Sequence, residues 1–174
     1  MTLRAPAALL AALALAVAGC AGSDPTTAGA ALLERTGGTP VTGVLVDGDV
    51  DDLAATVRAS SDVERPTVVN LFASWCEPCE REMPLLLDTA RERDEITWVG
   101  VAHADARLPA EQWVERLGVD LPSLFDPDGT VAEAVGLRGM PTTLFFGSDG
   151  TLVAQHTGEL TEDLLAGYLA ELDG

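Results

Sequence analysis

Apolar and polar positions change period several times along the chain, and each change marks an element. Val68, Val69, Leu71 and Phe72 form an apolar run interrupted only by Asn70, too short for a helix and rich in β-branched side chains, so it reads as a buried strand. After Ala73, Ser74 and Trp75 the period lengthens: Met83, Leu86, Leu87 and Ala90 recur at helical spacing and define one face of an amphipathic helix. Residues 96–102 are a second apolar, β-branched run. Two buried strands joined through a helix predict a right-handed βαβ unit with a parallel pair.

Weaker patterns flank this unit. Residues 41–46 alternate as an edge strand would, and Asp51 is expected to cap a helix carrying Leu53, Ala54 and Val57 as far as Ser60, before Pro66 closes a polar loop. Downstream, Pro109 opens a helix with Trp113 and Leu117 on one face and Gly118 beyond its end, and residues 121–125 form a short extended piece. Thr130 and Glu133 have capping-box spacing for a two-turn helix that Gly136 ends. Residues 142–146 and 151–156 read as a hairpin around a Gly-rich turn, with Phe145 and Phe146 on opposite faces. Thr161 then caps a final helix whose buried stripe is expected to hold Leu164, Leu165, Tyr168, Leu169 and Leu172. The predicted class is α/β: a mixed sheet flanked by helices, with an additional helix and strand between the βαβ half and the ββα half.

The first residues follow a different logic. Arg4 is followed by an Ala/Leu run over residues 7–16 and then by Val17, Ala18, Gly19 and Cys20. Residues 1–19 therefore read as a signal peptide too short to span a bilayer as a permanent helix. Cys20 after small residues resembles a bacterial lipobox, in which the cysteine becomes the lipid-modified first residue of the mature protein; the bland alternative is a plain signal peptide with a chance cysteine. Residues 20–38 then form a lipidated end and tether, whose flexible reach would be about 20–25 Å, and residues 39–174 one domain. The chain of 174 residues has a formal charge of −18 and ten basic residues, all of them arginine. Such a balance excludes the basic clusters that nucleic acid needs, and is most simply a matter of solubility.

With Cys20 assigned to lipid, the three cysteines leave Cys76 and Cys79 as a pair, in a compartment where disulfides persist. Cys76 falls at a helix N-terminus, where unpaired N–H groups and the macrodipole favour a thiolate and can lower its pKa from about 8.5 to roughly 3.5–7.5. That makes Cys76 the candidate nucleophile. Cys79, one turn on, is the candidate resolving thiol. Pro78 is tolerated in the first turn because its missing N–H had no helical partner. Glu77 places a carboxylate between the thiols, and is expected to raise the Cys76 pKa and make the dithiol less oxidising. Glu82 shares a helical face with Cys79, and Pro84 interrupts the helix's bonding.

Strand, Trp75, dithiol, helix, parallel βαβ, and Met140-Pro141 before a hairpin and terminal helix together resemble the thioredoxin-like fold. The additional helix and strand, Trp75 to Cys79, Glu82-Met83-Pro84 and Gly139 to Thr143 resemble the TlpA, ResA and DsbE group of membrane-tethered, extracytoplasmic thiol-disulfide oxidoreductases, over the whole domain. The resemblance implies a cis peptide bond at Pro141, facing the dithiol, and an acid/base role for Glu82 towards Cys79, against a plain solvated carboxylate. Asn70 stands where many thioredoxins carry a buried Asp, which removes one proton carrier. Trp75 is expected to flank the site, and Trp98 and Trp113 to be core. The implied activity is reduction of protein disulfides, with apocytochrome c as a frequent substrate and a membrane thiol-disulfide donor upstream; some relatives oxidise instead. No cofactor or metal is expected, and the protein is expected to be a monomer.

Other chemistries fit less well. A structural disulfide remains open for the cysteine pair, and half a zinc site would need more ligands than His103 and His156, far apart in sequence, supply. His103 at a strand end reads as a loop histidine or a site neighbour. A peroxiredoxin would want Thr where Ala73 stands. A Sco-like copper protein would want a wider cysteine spacing and a matched histidine, for which His156 is the remote candidate. A redox-inert lipoprotein would need neither thiol.

Overall fold

The computed structural model describes residues 44–172. The expected signal peptide, Cys20, the tether and the start of the first strand lie outside them. The described elements run β1 (Leu45–Asp47), α1 (Val50–Ser61), β2 (Thr67–Phe72), α2 (Glu77–Glu92), β3 (Thr97–His103), α3 (Arg107–Leu117), β4 (Ser123–Asp126), α4 (Thr130–Ala134), β5 (Thr142–Phe146), β6 (Leu152–Thr157) and α5 (Glu162–Leu172).

The strands form one six-stranded sheet in the order β1-β4-β3-β2-β5-β6. β1, β4, β3 and β2 are parallel neighbours, whereas β5 runs antiparallel to β2 and to β6. This is the expected mixed sheet, with α3, β4 and α4 as the insert between the halves. Every residue of β2 is buried, as a strand covered on both faces must be. Alternation along the strands sorts the core into two layers. Val68, Phe72, Trp98 and Phe145 pack with Met83, Leu86, Trp113, Leu165 and Leu169 under α2, α3 and α5. Val69, Leu71, Val99, Val101 and Leu144 pack with Leu53, Val57 and Val131 under α1 and α4. Trp98 and Trp113 are core, as expected, and Phe145 and Phe146 serve opposite faces.

Several expected helix ends are corrected. α1 is capped by Asp49, not Asp51: the Asp49 carboxylate accepts the N–H groups of Asp51 and Asp52, and Asp52 returns the bond to the Asp49 N–H at 3.1 Å. α3 starts at Arg107, two residues before Pro109, with no side-chain cap on Ala106. Thr130 is the first helical residue of α4 and no capping box forms with Glu133. Asp126, at the end of β4, instead accepts the N–H groups of Thr130 and Val131 at 2.9 and 3.0 Å. Thr161 does meet the Leu164 N–H at 3.3 Å, but Leu164 itself is exposed, because only Leu165 and Leu169 of α5 reach the sheet as fully buried residues.

Candidate active site

β2 delivers the chain to the site. Its last residue, Phe72, stacks on Trp113 with ring centroids 4.8 Å apart, and the turn through Ser74 and Trp75 leads straight into α2. Cys76 is the N-cap of α2, its sulfur standing where a capping oxygen usually sits and accepting the Cys79 N–H at 3.3 Å. The two cysteines form a disulfide. Cys76 is 5% exposed and Cys79 fully buried, so the pair has an outer and an inner sulfur.

The turn is held from the neighbouring strand's end. Asp105, just beyond β3, accepts the Ser74 hydroxyl at 2.8 Å and the Ser74 N–H at 2.5 Å, and the Trp75 indole donates to the Ala104 carbonyl at 3.4 Å. Trp75 is 60% exposed and forms the apolar lip of the site. A shallow cleft lined by Ser74, Pro109, Gln112, Trp113 and Arg116 opens beside it.

On the other side stands the hairpin. The Met140-Pro141 bond is cis. β5 begins at Thr142, which pairs with Leu71 near the end of β2, so the cis bond lies at the sheet end where the dithiol turn starts. Met140 is partly buried against both core layers.

One turn further along α2 begins a polar group of three side chains. Glu82, one turn after Cys79, is 1% exposed. It accepts Asn70 Nδ2 and the Leu160 N–H, both at 2.8 Å. Asn70 also donates to Thr143 Oγ1 at 3.0 Å, because Asn70 and Thr143 are register partners on β2 and β5 and share a face. Burial pushes the Glu82 carboxyl up to about 7; the Leu160 and Asn70 hydrogen bonds oppose the rise and the charge of Glu159 adds to it. At neutral pH this carboxyl is poised between its two forms.

The exposed face of α2 is different. Glu77 turns outward and pairs with Arg81 at 2.9 Å, so a guanidinium offsets the charge that Glu77 brings to the dithiol. Arg81 also binds Glu159 at 2.7 Å. Glu80 takes both arms of Arg116, at 2.7 and 3.0 Å, which hold its carboxyl below the usual range.

Comparison with known proteins agrees with this geometry. The Redoxin family model matches residues 44–172. The chain belongs to the Redoxin family. Within that family it is similar to the thiol-disulfide oxidoreductase ResA of Halalkalibacterium halodurans, 31% identical over 103 residues, which is 58% of this chain and 58% of the relative. It is also 32% identical over 111 residues to the thiol:disulfide interchange protein CycY of Rhizobium leguminosarum, covering 62% of this chain and 59% of CycY. The chain thus matches about three fifths of the length of these relatives. Among solved structures, the exposed lipoprotein thioredoxin Etrx1 of Streptococcus pneumoniae superposes with a TM-score of 0.60 at 26% identity, over 67% of this chain and 90% of that one. The fold is thioredoxin-like.

This Redoxin domain gathers most of the residues singled out from sequence: Cys76, Cys79, Trp75, Glu77, Pro78 and Glu82 on the turn and α2, with Asn70 on β2 and Pro141 just before β5. The solvated reading of Glu82 is overturned by its burial. Of the histidines, His156 Nδ1 lies 3.2 Å from the Tyr168 hydroxyl, whereas the buried His103 Nδ1 has no hydrogen-bond partner among the described residues. Missed from sequence were Asp105, Thr143, Arg81, Glu159 and the Leu160 N–H. Thr143 was recoverable from the β2–β5 register and Arg81 from its i,i+4 spacing to Glu77; the others are loop polar groups with no local signature.

Proposed function

We propose that the protein is a lipid-anchored, extracytoplasmic thiol-disulfide oxidoreductase that reduces protein disulfides, such as those of the haem-binding cysteines of apocytochrome c. The observation that carries the reading is the Cys76–Cys79 disulfide, its outer sulfur at a helix N-terminus and its inner cysteine one turn before the buried Glu82 on the same helix. The names of the ResA and CycY relatives support the chemistry, and the Etrx1 description as an exposed lipoprotein supports the setting.

In the reduced protein, the α2 N-terminus and the Cys79 N–H favour a Cys76 thiolate. That thiolate attacks one sulfur of a substrate disulfide, whose S–S bond breaks; the departing substrate sulfur leaves as a thiolate and takes a proton. Cys79 then loses its proton to Glu82 and attacks the Cys76 sulfur of the mixed disulfide. The Cys76–Cys79 disulfide forms, the second substrate thiol is released, and two electrons have passed to the substrate. A membrane dithiol donor restores the reduced pair. Trp75, exposed on the turn before Cys76, offers the substrate an apolar landing surface, with the cis bond at the buried Pro141 on the hairpin side.

The setting rests on Val17 to Cys20: residues 1–19 act as the signal peptide, Cys20 carries the lipid, residues 20–38 are the tether, and residues 39–174 the domain. Two or more acyl chains on Cys20 would hold it stably at the membrane. Among the described residues no helix is long and apolar enough to cross a membrane.

A Cys79→Ala variant tests the chemistry. Incubated with a disulfide-containing protein, it should accumulate a mixed disulfide on Cys76 that dithiothreitol releases, while Cys76→Ala accumulates none. Absence of any adduct on Cys79→Ala would overturn the reading.

A further inference from the structure

The loop between β6 and α5 is tied to three separate parts of the site. Gly158, with a φ of +114° that suits glycine, donates its N–H to the Pro141 carbonyl at 2.9 Å. Glu159 accepts Arg81 Nε at 2.9 Å and Nη2 at 2.7 Å through one carboxylate oxygen. Leu160, anchored in the core at 3% exposure, donates its N–H to Glu82 Oε2 at 2.8 Å. Three consecutive loop residues therefore grip the cis-proline and then two consecutive residues of α2.

The two grips on α2 are of different kinds. The Arg81–Glu159 contact lies outside, with side chains 49% and 38% exposed, and continues through Arg81 to Glu77. Leu160 reaches inside, to a carboxyl whose other direct partner is Asn70, itself bonded to Thr143. The groups that act on Glu82 are thus the Asn70 amide, the Leu160 N–H and, as a charge from outside α2, Glu159. Arg81 holds that charge and partly neutralises it.

We propose that residues 158–160 form a positioning strap for Glu82, in which Leu160 fixes the carboxyl and the Glu159–Arg81 pair sets the charge against which it ionises. Glu159 and Arg81 are positioning residues, since they act through Glu82 and not on the sulfurs. The functional meaning rests on the reading of Glu82 as the proton carrier for Cys79. In that role the strap ties proton release at the inner sulfur to the loop that also holds the cis-proline, so that the hairpin side of the site and the proton carrier share one support.

The sign of two substitutions tests it. Glu159→Gln keeps a hydrogen-bonding side chain but removes a negative charge near Glu82, leaving Arg81 less compensated, so ionisation becomes easier. Arg81→Gln removes the cation and leaves Glu159 uncompensated, so ionisation becomes harder. Carboxyl-carbon NMR of the oxidised full chain with labelled glutamate, the Glu82 signal assigned by its loss in Glu82→Gln, reads the midpoint directly. Glu159→Gln should lower it by roughly half a pH unit and Arg81→Gln should raise it by a similar amount. If the pair were only a mechanical clamp, both variants would loosen Leu160 and move the midpoint upward together. Movement in the same direction, or no movement in either, would overturn the proposal. The oxidised protein performs no exchange during this titration, so failure here leaves the thiol chemistry standing, and failure of the Cys79→Ala trap leaves this result untouched.

Discussion

Glu82 is a carboxyl kept protonated by its surroundings until near neutral pH, and that leaves a mark on stability. Its folded pKa of about 7 lies above the ordinary 4.5. Between those values the folded protein holds a proton that the unfolded chain has lost, so stability falls as pH rises through that window and the full penalty is present above it. The difference corresponds to roughly 3 kcal/mol. Glu82→Gln should therefore raise the melting temperature of the oxidised protein at pH 8 and leave it nearly unchanged at pH 4. An equal shift at both pH values would contradict the assignment. Sequence placed Glu82 on the Cys79 face by helical spacing alone, yet could not decide between a solvated and a buried carboxylate. What decides it is Asn70 and Leu160, 12 and 78 residues away along the chain, and such long-range partners leave no trace in local periodicity.

At the scale of elements, the periodic signals located the strands and helices from β2 onward to within a residue or two, the first strand starting only at Leu45 among the described residues, while the caps depended on backbone geometry. Asp126 shows why. It ends β4, one residue past the extended piece read from sequence, and its carboxylate turns back to accept the Thr130 and Val131 N–H groups and the Thr130 hydroxyl, satisfying donors that α4 would otherwise leave open. It is 1% exposed, so those donors have no water to replace it. Asp126→Ala should cost about 1–2 kcal/mol in urea unfolding, whereas loss of the Thr130 side chain should cost less, because Thr130 is not the cap. Equal costs for the two would restore the capping box read from sequence. Thr161 and Gly118 fell where expected because their roles are local: a hydroxyl three residues before an N–H, and a left-handed C-cap with a φ of +65°.

For the whole molecule, the order of strand, dithiol, helix, strand and Met-Pro hairpin was legible because each piece is specified locally, the cis state of that proline being implied only by the family resemblance, and the βαβ handedness rule then constrains the topology. The polar support of the site was not, since the Asp105 grip on the Ser74 turn and the strap at residues 158–160 exist only once the sheet is assembled. The groups on α2 leave a net negative balance, since Glu77 and Glu159 share the single guanidinium of Arg81 and the buried Glu82 ionises near neutral pH. A negative neighbourhood disfavours the thiolate and so favours the oxidised pair, which is the state a reductant leaves behind. The reduction potential of the protein, equilibrated against glutathione, tests this most directly. A potential near the thioredoxin value of about −270 mV is the result expected of a reductase, and a potential near −120 mV, roughly that of a strong disulfide oxidant, would contradict it.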